Sequence, residues 1–275
     1  MTKASEFENS IALAAKTGDY LPVTLPNWMT DLGIISGDLI ISTKTTGTKS
    51  PMNKTDILII FQKSPPLKIS VKLSNADYYG NWYGHKRFLN EFGNDAFTKM
   101  TDKVTEWANQ WAYNPNANIF VGVSISFGKR TGNTFIPFLD IFDSTDELIK
   151  IIAGAGQGDG VANCLYISDS SPLNISDFIN KLSPINLQSI AEQGENIKII
   201  CRPINPMTEG SNRGKNVYTK FEPFKPLENP LTIMTLSSLM NLGKFTQVEP
   251  NRLNHNQILN NLEQKYNIII PRKRK

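Results

Sequence analysis

Cysteine, histidine and long apolar runs are scarce in this chain of 275 residues. The two cysteines, Cys164 and Cys201, stand in apolar, strand-like contexts without the spacing of a disulfide framework or a zinc site, so we predict two buried thiols. No apolar run approaches the roughly 20 residues that a membrane-spanning helix needs, so we expect no membrane partner. Internal repeats and low-complexity tracts are also missing, which excludes a repeat architecture.

The charge of the chain is close to balanced, with 29 lysines and arginines against 25 acids and a formal net charge of +4. A charged share of 20% is ordinary for a folded protein and excludes a disordered, highly charged tail protein. The small excess of bases suits a polyanionic partner but does not identify one. Residues 1–6, MTKASE, lack the apolar core of a signal peptide, and we therefore expect a protein of the microbial cytoplasm.

A short stretch after residue 54 organises the rest of the chain. An apolar run, Ile57–Phe61, directly follows Asp56, and a second β-favouring run occupies Leu67–Lys72. The prolines of the intervening KSPP segment forbid a continued strand. Two short β-favouring runs joined by a tight break predict a hairpin of two strands.

Side chains alternate along the second strand of this hairpin, which puts Ser70 and Lys72 on one face and Val71 on the other. The hairpin also sets Asp56, at the start of one strand, beside Lys72, at the end of its neighbour. A carboxylate binds Mg²⁺, which keeps several waters, accepts phosphate oxygens and acidifies its bound water. The layout therefore predicts hydrolysis of a phosphodiester, with Asp56 holding the metal and Lys72 orienting the water.

The same residues carry a resemblance to a known family. An aspartate, a hairpin and a lysine on the second strand resemble the PD-(D/E)XK nuclease superfamily, and PMNKTDI at 51–57 with ISVK at 69–72 is most similar to type II restriction endonucleases. The similarity extends from Gly47 to Glu91. It implies an α/β, restriction-endonuclease-like fold with a central mixed β-sheet flanked by helices. It also implies Mg²⁺ as cofactor and cleavage of double-stranded DNA by a homodimer whose symmetry matches a palindromic site.

One position departs from the family pattern, because Ser70 stands where the second acid of the motif is expected. Some restriction enzymes of the superfamily carry Ser-x-Lys and take the missing carboxylate from the following helix, where Glu91 is the first glutamate after Lys72. Glu8, in a helix predicted over residues 6–16, is the alternative, since an early-helix glutamate lines the site in several relatives. The resemblance thus implies Asp56, Ser70, Lys72 and Glu91 as catalytic residues and Asp56, Glu91 and Val71 as metal ligands.

Four segments of the chain are candidates for contact with DNA. A loop over residues 43–54, rich in Thr, Lys and Gly, would grip phosphates, and the cluster of rings and bases at 73–87 follows the proposed active-site lysine directly. A hairpin tip at 128–133 and a polar loop at 208–216 add further bases, of which Arg213 is the candidate for bonding guanine. Each segment is also open to a plain interpretation as a solvated loop or as core packing. The residues predicted to contact DNA are Lys49, Lys54, Tyr79, Trp82, His85, Lys86, Arg87, Lys129, Arg130, Arg213 and Lys215.

The predicted elements alternate between helices and strands, which suits one mixed α/β domain. No break in composition indicates a second domain, so we expect a single domain over residues 1–275, with a catalytic core to about residue 205 and a C-terminal elaboration over about 206–275. The glycine run GAGQGDG at 154–160 lacks the Lys-Ser/Thr ending of a P-loop and follows a predicted helix. We interpret it as a flexible loop or gate and expect no nucleotide cofactor.

Three functions stay open on these observations. The first is a Mg²⁺-dependent, sequence-specific endonuclease of the type II restriction class. The second is a nuclease of the same fold that recognises DNA structure, as in repair or junction resolution. The third is a DNA-binding protein without catalysis, which Ser70 favours because a single carboxylate holds a metal ion weakly.

Overall fold

The computed structural model describes residues 3–46, 53–74, 76, 78–129, 132–186, 188–189, 197–209, 216–251 and 253–273. The chain forms two compact units, each assembled from two separate stretches. The first unit comprises Met1–Asp77 with Thr145–Glu195, and the second comprises Tyr78–Ser144 with Asn196–Lys275. The boundary predicted near residue 205 lies inside the second unit, and the single domain stays a prediction.

The helices and strands are short, apart from one long helix in the second unit. The α-helices are α1 (Lys3–Ala12), α2 (Asn27–Asp31), α3 (His85–Trp111), α4 (Leu148–Ile152), α5 (Ile175–Asn180), α6 (Pro206–Glu209), α7 (Leu236–Met240) and α8 (His255–Tyr266), with 3₁₀ turns at Phe138–Asp140 and Thr145–Glu147. The strands are β1 (Ile40–Thr45), β2 (Ile57–Phe61), β3 (Leu67–Lys72), β4 (Tyr78–Gly80), β5 (Val123–Gly128), β6 (Phe135–Ile136), β7 (Cys164–Ile167), β8 (Leu182–Pro184), β9 (Lys198–Pro203), β10 (Thr219–Pro223), β11 (Leu231–Thr232), β12 (Gly243–Gln247) and β13 (Ile268–Ile269).

A five-stranded mixed sheet of order β1-β2-β3-β7-β8 forms the frame of the first unit. The predicted hairpin is present, because β2 and β3 pair antiparallel with Ile57 opposite Ile69. β3 then pairs in parallel with β7, which makes the sheet mixed and brings the carboxyl ends of both strands to the same edge. The structure is thus mixed α/β, with a mixed sheet and flanking helices, as predicted.

The apolar face of this sheet is covered by helices of the same unit. Ile57 and Ile69 from the hairpin belong to one buried cluster with Ile11 of α1, Met29 of α2 and Phe178 of α5. Val71 lies on this covered face and is partly buried against the cluster. Full burial of a side chain of this size is worth about 1.5–3 kcal/mol, so the helices hold the hairpin and its polar residues in a fixed register.

The second unit is built on a four-stranded sheet of order β4-β5-β9-β6, in which neighbouring strands are antiparallel. Helix α3 contacts β6, β10 and β12. It is kinked at Gly93, which has φ 80°. Rings of Phe88, Phe92, Phe127 and Phe142 contact one another and form an aromatic core.

Both cysteines are buried, as the sequence predicted. Cys164 and Cys201 are free thiols that are fully buried, one in each unit. Burial raises the pKa of both thiols, so they stay protonated and unreactive near neutral pH. Across the described ranges, no helix combines the length and apolarity required to cross a bilayer.

Candidate active site

The backbone of Asp56 is held between two neighbouring strands at the start of β2. Its N–H donates to the carbonyl of Ile69 at 2.8 Å, and its own carbonyl accepts from the N–H of Thr46 at 3.0 Å. The carboxylate turns toward the hairpin partner, where Oδ2 accepts a hydrogen bond from the main-chain N–H of Val71 at 2.7 Å. This hydrogen bond to an ionised acceptor fixes the position of the acid.

Lys72, at the end of β3, meets the same carboxylate. Its Nζ lies 3.9 Å from Asp56 Oδ2 and donates to Ser70 Oγ at 3.2 Å and to the Val71 carbonyl at 2.9 Å. Ser70 Oγ in turn donates to Asp56 Oδ2 at 3.4 Å. Ser70 is fully buried, whereas the Asp56 and Lys72 side chains are 26% and 20% exposed. The acid and the lysine are therefore brought together, as the hairpin predicted, at a point that solvent can reach.

Glu8 of α1 supplies a second acid to this neighbourhood. Burial raises the pKa of the Glu8 carboxyl, the Asp56 carboxylate raises it further, and the Lys72 ammonium group opposes both effects. Glu8 therefore lies close enough to the other two side chains for their charges to act on it. Two carboxylates that repel each other in a half-buried site form an arrangement that a cation would stabilise.

The donor set fits Mg²⁺ in type, since that ion prefers oxygen ligands and is often held by one or two carboxylates together with waters. Asp56 and Glu8 would supply the carboxylates, and the partial exposure of Asp56 leaves access for water. In the described part of the chain, no group of three or more His, Cys, Asp or Glu side chains is arranged to hold a metal ion. The fit thus depends on two acids and on oxygens from water and from substrate.

The glycine run at 154–160, interpreted from sequence as a flexible loop or gate, is hydrogen-bonded to the segment before Asp56. The carbonyl of Gly160 accepts from the N–H groups of Lys54 at 2.9 Å and Thr55 at 3.3 Å, and Lys68 Nζ donates to the carbonyl of Gly158 at 2.9 Å. The loop is therefore bound to the two residues that precede Asp56 and to strand β3. A loop held in this way positions the segment that leads into Asp56.

Both carboxylate oxygens of Glu91 accept hydrogen bonds from residues of the second unit. Its Oε2 accepts from the hydroxyl of Tyr83 at 2.7 Å, and its Oε1 accepts from Nε of Arg87 at 2.8 Å. The Glu91 side chain is 0% exposed, and the Arg87 guanidinium lies 4.0 Å from the centre of the Tyr83 ring. Both carboxylate oxygens thus stabilise the start of α3, which corrects the expectation of Glu91 as a metal ligand and catalytic residue and of Arg87 as a DNA contact.

Two further predicted DNA contacts are core residues of the second unit. His85 is 1% exposed, and its Nε2 lies 2.8 Å from the carbonyl of Val217 between the rings of Phe97 and Tyr218. Burial lowers the pKa of His85, although the Val217 carbonyl partly offsets this effect. Tyr79 is 7% exposed. Both rings were predicted to reach DNA because they fall in an aromatic, basic segment, but the structure uses them for packing.

The other residues predicted to contact DNA differ in how far they are exposed to solvent. Lys86 and Lys129 are exposed, and Lys54 and Trp82 are half-buried. Lys129 Nζ lies 5.8 Å from the centre of the Tyr79 ring. Four further residues lie outside the described residues: Lys49, Arg130, Arg213 and Lys215.

Arg202 of β9 is not among the residues predicted to contact DNA, yet its guanidinium is fixed at the surface of the second unit. It lies 3.5 Å from the centre of the Trp82 ring and 4.8 Å from that of Tyr78. The sequence contains a signal for this position, because Lys198 and Arg202 stand four residues apart, on the same face of a strand that is otherwise apolar up to Pro203.

Comparisons of the chain with protein-family models, with curated proteins and with solved structures found no match. The likeness to the PD-(D/E)XK nucleases therefore depends on the hairpin residues and their geometry.

Proposed function

We propose that this protein is a Mg²⁺-dependent endonuclease that hydrolyses phosphodiester bonds in double-stranded DNA, of the sequence-specific type II restriction class. The observation that carries the proposal is the convergence of Asp56 and Lys72, with Nζ and Oδ2 3.9 Å apart, around the buried hydroxyl of Ser70. At one solvent-accessible point, an acid can hold a metal ion with its bound water and a lysine can orient that water next to a phosphate. Salt bridges that only stabilise a fold are common on sheets, and the half-buried second acid is what distinguishes this one.

Each residue of the cluster has a separate role in the proposed reaction. Asp56 and Glu8 hold the metal, which when bound acidifies water and stabilises the charge that develops on the phosphate. Lys72 orients the attacking water and helps to neutralise the phosphate. Ser70 keeps the lysine in place, since its hydroxyl accepts from Lys72 Nζ and donates to Asp56.

Glu8 fills the place of the missing motif acid in this proposal. Ser70 cannot bind a metal as a carboxylate does, and the carboxylate of Glu91 is used by Tyr83 and Arg87. Glu8 is half-buried and interacts electrostatically with both Asp56 and Lys72. An acid from α1 thus completes a pair of carboxylates, which is the number that Mg²⁺ commonly takes from a protein.

The proposed partner is duplex DNA, bound by a homodimer. The net charge of +4 and the exposed Lys86 and Lys129 support attraction to a polyanion. Each chain contributes one such cluster, so that cleavage of both strands in one binding event requires two copies. Two-fold symmetry between the copies would match a palindromic recognition sequence.

The test is cleavage of a plasmid of known sequence in the presence of Mg²⁺. The protein should produce discrete fragments, and Asp56→Asn or Lys72→Met should lower the rate by about 100-fold or more, since a positioned acid–base group contributes 10²–10⁴-fold. Lys63→Met is the matched control for the lysine, because Lys63 is exposed in the break that joins the two strands of the same hairpin. Asp31→Asn, at an exposed position of α2, is the control for the acid. Equal rates for all four variants would show that the cluster is not the catalytic centre.

One observation favours a second candidate function, a DNA-binding protein without catalysis. Within the described ranges no cluster of three metal-binding side chains is present, and two acids bind a metal less strongly than three. Duplex binding that is steeply salt-dependent, needs no metal and leads to no cleavage would favour this candidate. Nicks in a supercoiled plasmid without fixed fragments would instead indicate a structure-specific nuclease.

A further inference from the structure

A cluster of aromatic and polar side chains surrounds Arg202 in the second unit. The Arg202 guanidinium lies 3.5 Å from the Trp82 ring centre and 4.8 Å from the Tyr78 ring centre, and its Nη1 donates to Asn81 Oδ1 at 2.8 Å. Asn81 is exposed, while Tyr78, Trp82 and Arg202 are half-buried. These four residues are the Arg202 cluster, and they place a planar cation at the surface of the unit.

The cluster is held from below by a buried serine of β5. Ser126 is fully buried, and its Oγ accepts from the Trp82 N–H at 3.0 Å and from Arg202 Nη1 at 3.5 Å. The same hydroxyl lies 3.3 Å from Asn81 Oδ1, to which it donates. One buried group therefore fixes the loop and the guanidinium together, so that the arginine is already ordered before any ligand arrives.

The backbone of Trp82 is in a conformation that a bulky residue rarely adopts. Its φ of 49° lies in the left-handed region, where a side chain crowds the backbone and glycine is normally found. A packing role alone could be met by a ring on an unstrained backbone. The strained position indicates that the exact placement of the Trp82 ring against Arg202 matters.

We infer that Arg202 reads a guanine base of the DNA substrate, with Trp82 and Tyr78 holding its guanidinium in the orientation for contact. An arginine stacked on aromatic rings donates its hydrogen bonds in the plane of the guanidinium, so a base must meet it edge-on. Guanine presents two acceptors, O6 and N7, on its major-groove edge and is the base that arginine bonds bidentately. The inference rests on the proposed function for the nature of the ligand, and it assigns recognition to the second unit.

The test measures binding preference without cleavage, using a pool of duplexes with randomised central base pairs and the Asp56→Asn protein in metal-free buffer. Arg202→Lys in the same background should lose about tenfold of the preference for guanine at one position and keep the other preferences, since lysine keeps the charge but not the planar fork. Lys198→Ala is the matched control, because Lys198 lies on the same strand over the Phe135 ring at 4.1 Å. It should weaken binding to all duplexes alike and reduce the salt dependence.

A second variant separates recognition from folding. Trp82→Gly removes the half-buried ring but suits the left-handed backbone, which offsets part of the lost packing, so the variant should still unfold in one cooperative transition while its preference for guanine drops about as far as in Arg202→Lys. Unchanged base preferences in both variants, or no binding of any duplex by the Asp56→Asn protein, would overturn the inference. Loss of the guanine preference in a protein that never cleaves DNA would support the inference and refute the proposed nuclease.

Discussion

The carboxylate of Asp56 accepts a hydrogen bond from the main-chain N–H of Val71 at 2.7 Å. This contact joins the start of β2 to the end of β3 and leaves Asp56 26% exposed beside Lys72. The acid is thus oriented by the backbone, which a side-chain substitution cannot remove. Changes around Asp56 should therefore affect chemistry more than fold.

Glu8→Gln should lower the cleavage rate at least tenfold and weaken the dependence on Mg²⁺, because it removes one of two proposed carboxylate ligands. The pKa of Glu8 is raised by burial and by Asp56, so ionised Glu8 destabilises the folded protein once the pH exceeds its ordinary value. In metal-free buffer at neutral pH, the variant should therefore be as stable as the unaltered protein or more so. Cleavage rates at several Mg²⁺ concentrations measure the loss of activity, and chemical denaturation with and without Mg²⁺ measures the change in stability.

Glu6→Gln is the control for that experiment, since Glu6 is exposed on the same helix two residues earlier. It should cleave at the unaltered rate. Stabilisation by Mg²⁺ that is equal in the Glu8→Gln and Glu6→Gln proteins would exclude Glu8 as a ligand.

Ser70→Ala should lower the single-turnover cleavage rate about tenfold, because Lys72 loses a hydrogen bond that holds it next to Asp56. The free energy of unfolding should fall by only about 1 kcal/mol, since one neutral hydroxyl is lost from a buried position. Ser168→Ala, which removes a hydroxyl that bonds within its own loop, serves as control. A Ser70→Ala protein that cleaves at full rate would show that Lys72 does not need the serine.

Gly160→Ala should reduce cleavage more than stability. A Cβ at Gly160 would lie 2.5 Å from Oδ1 of Asn53, so the Asn53 side chain, on the segment that leads into Asp56, must move. Asn53→Ala removes the obstructing amide, and the double variant should recover most of the rate. If the double variant is no faster than Gly160→Ala alone, the loop does not act on Asp56 through Asn53. Cleavage rates and unfolding midpoints of the three variants measure the effect.

His255→Leu should make the protein less sensitive to acid. His255 is 0% exposed, and burial and the charge of Arg272 lower its pKa from 6.5 to about 4. The unfolded chain therefore takes up a proton first as the pH falls, and stability is lost from about pH 6.5 down to about 4, by about 3 kcal/mol in total. The His255→Leu protein has no group to protonate at this position, so it does not lose this part of its stability as the pH falls.

The measurement for His255 is the difference in free energy of unfolding between the unaltered protein and the variant at several pH values. Carboxylates and His85 titrate in both proteins and cancel in this difference. A difference that does not change between pH 7 and 4 would mean that His255 is accessible to protons in the folded state.

Several elements could be predicted from local pattern alone. The hairpin follows from two β-favouring runs and a Pro-Pro break. Strand β6 ends at Ile136, because Pro137 has no N–H to continue the ladder and a 3₁₀ turn follows. Such local features depend on side chains within a few residues of each other.

The sequence by itself determined which two residues would form the candidate centre, since alternation along a strand and the length of a hairpin place Asp56 beside Lys72. Only the tertiary structure decided which glutamate joins them. Glu8 comes from a helix packed on the same unit, whereas Glu91 is used to stabilise α3. Contacts between distant segments depend on how helices and sheets bury their apolar faces. That packing is determined by the whole core and cannot be derived from any short stretch of sequence.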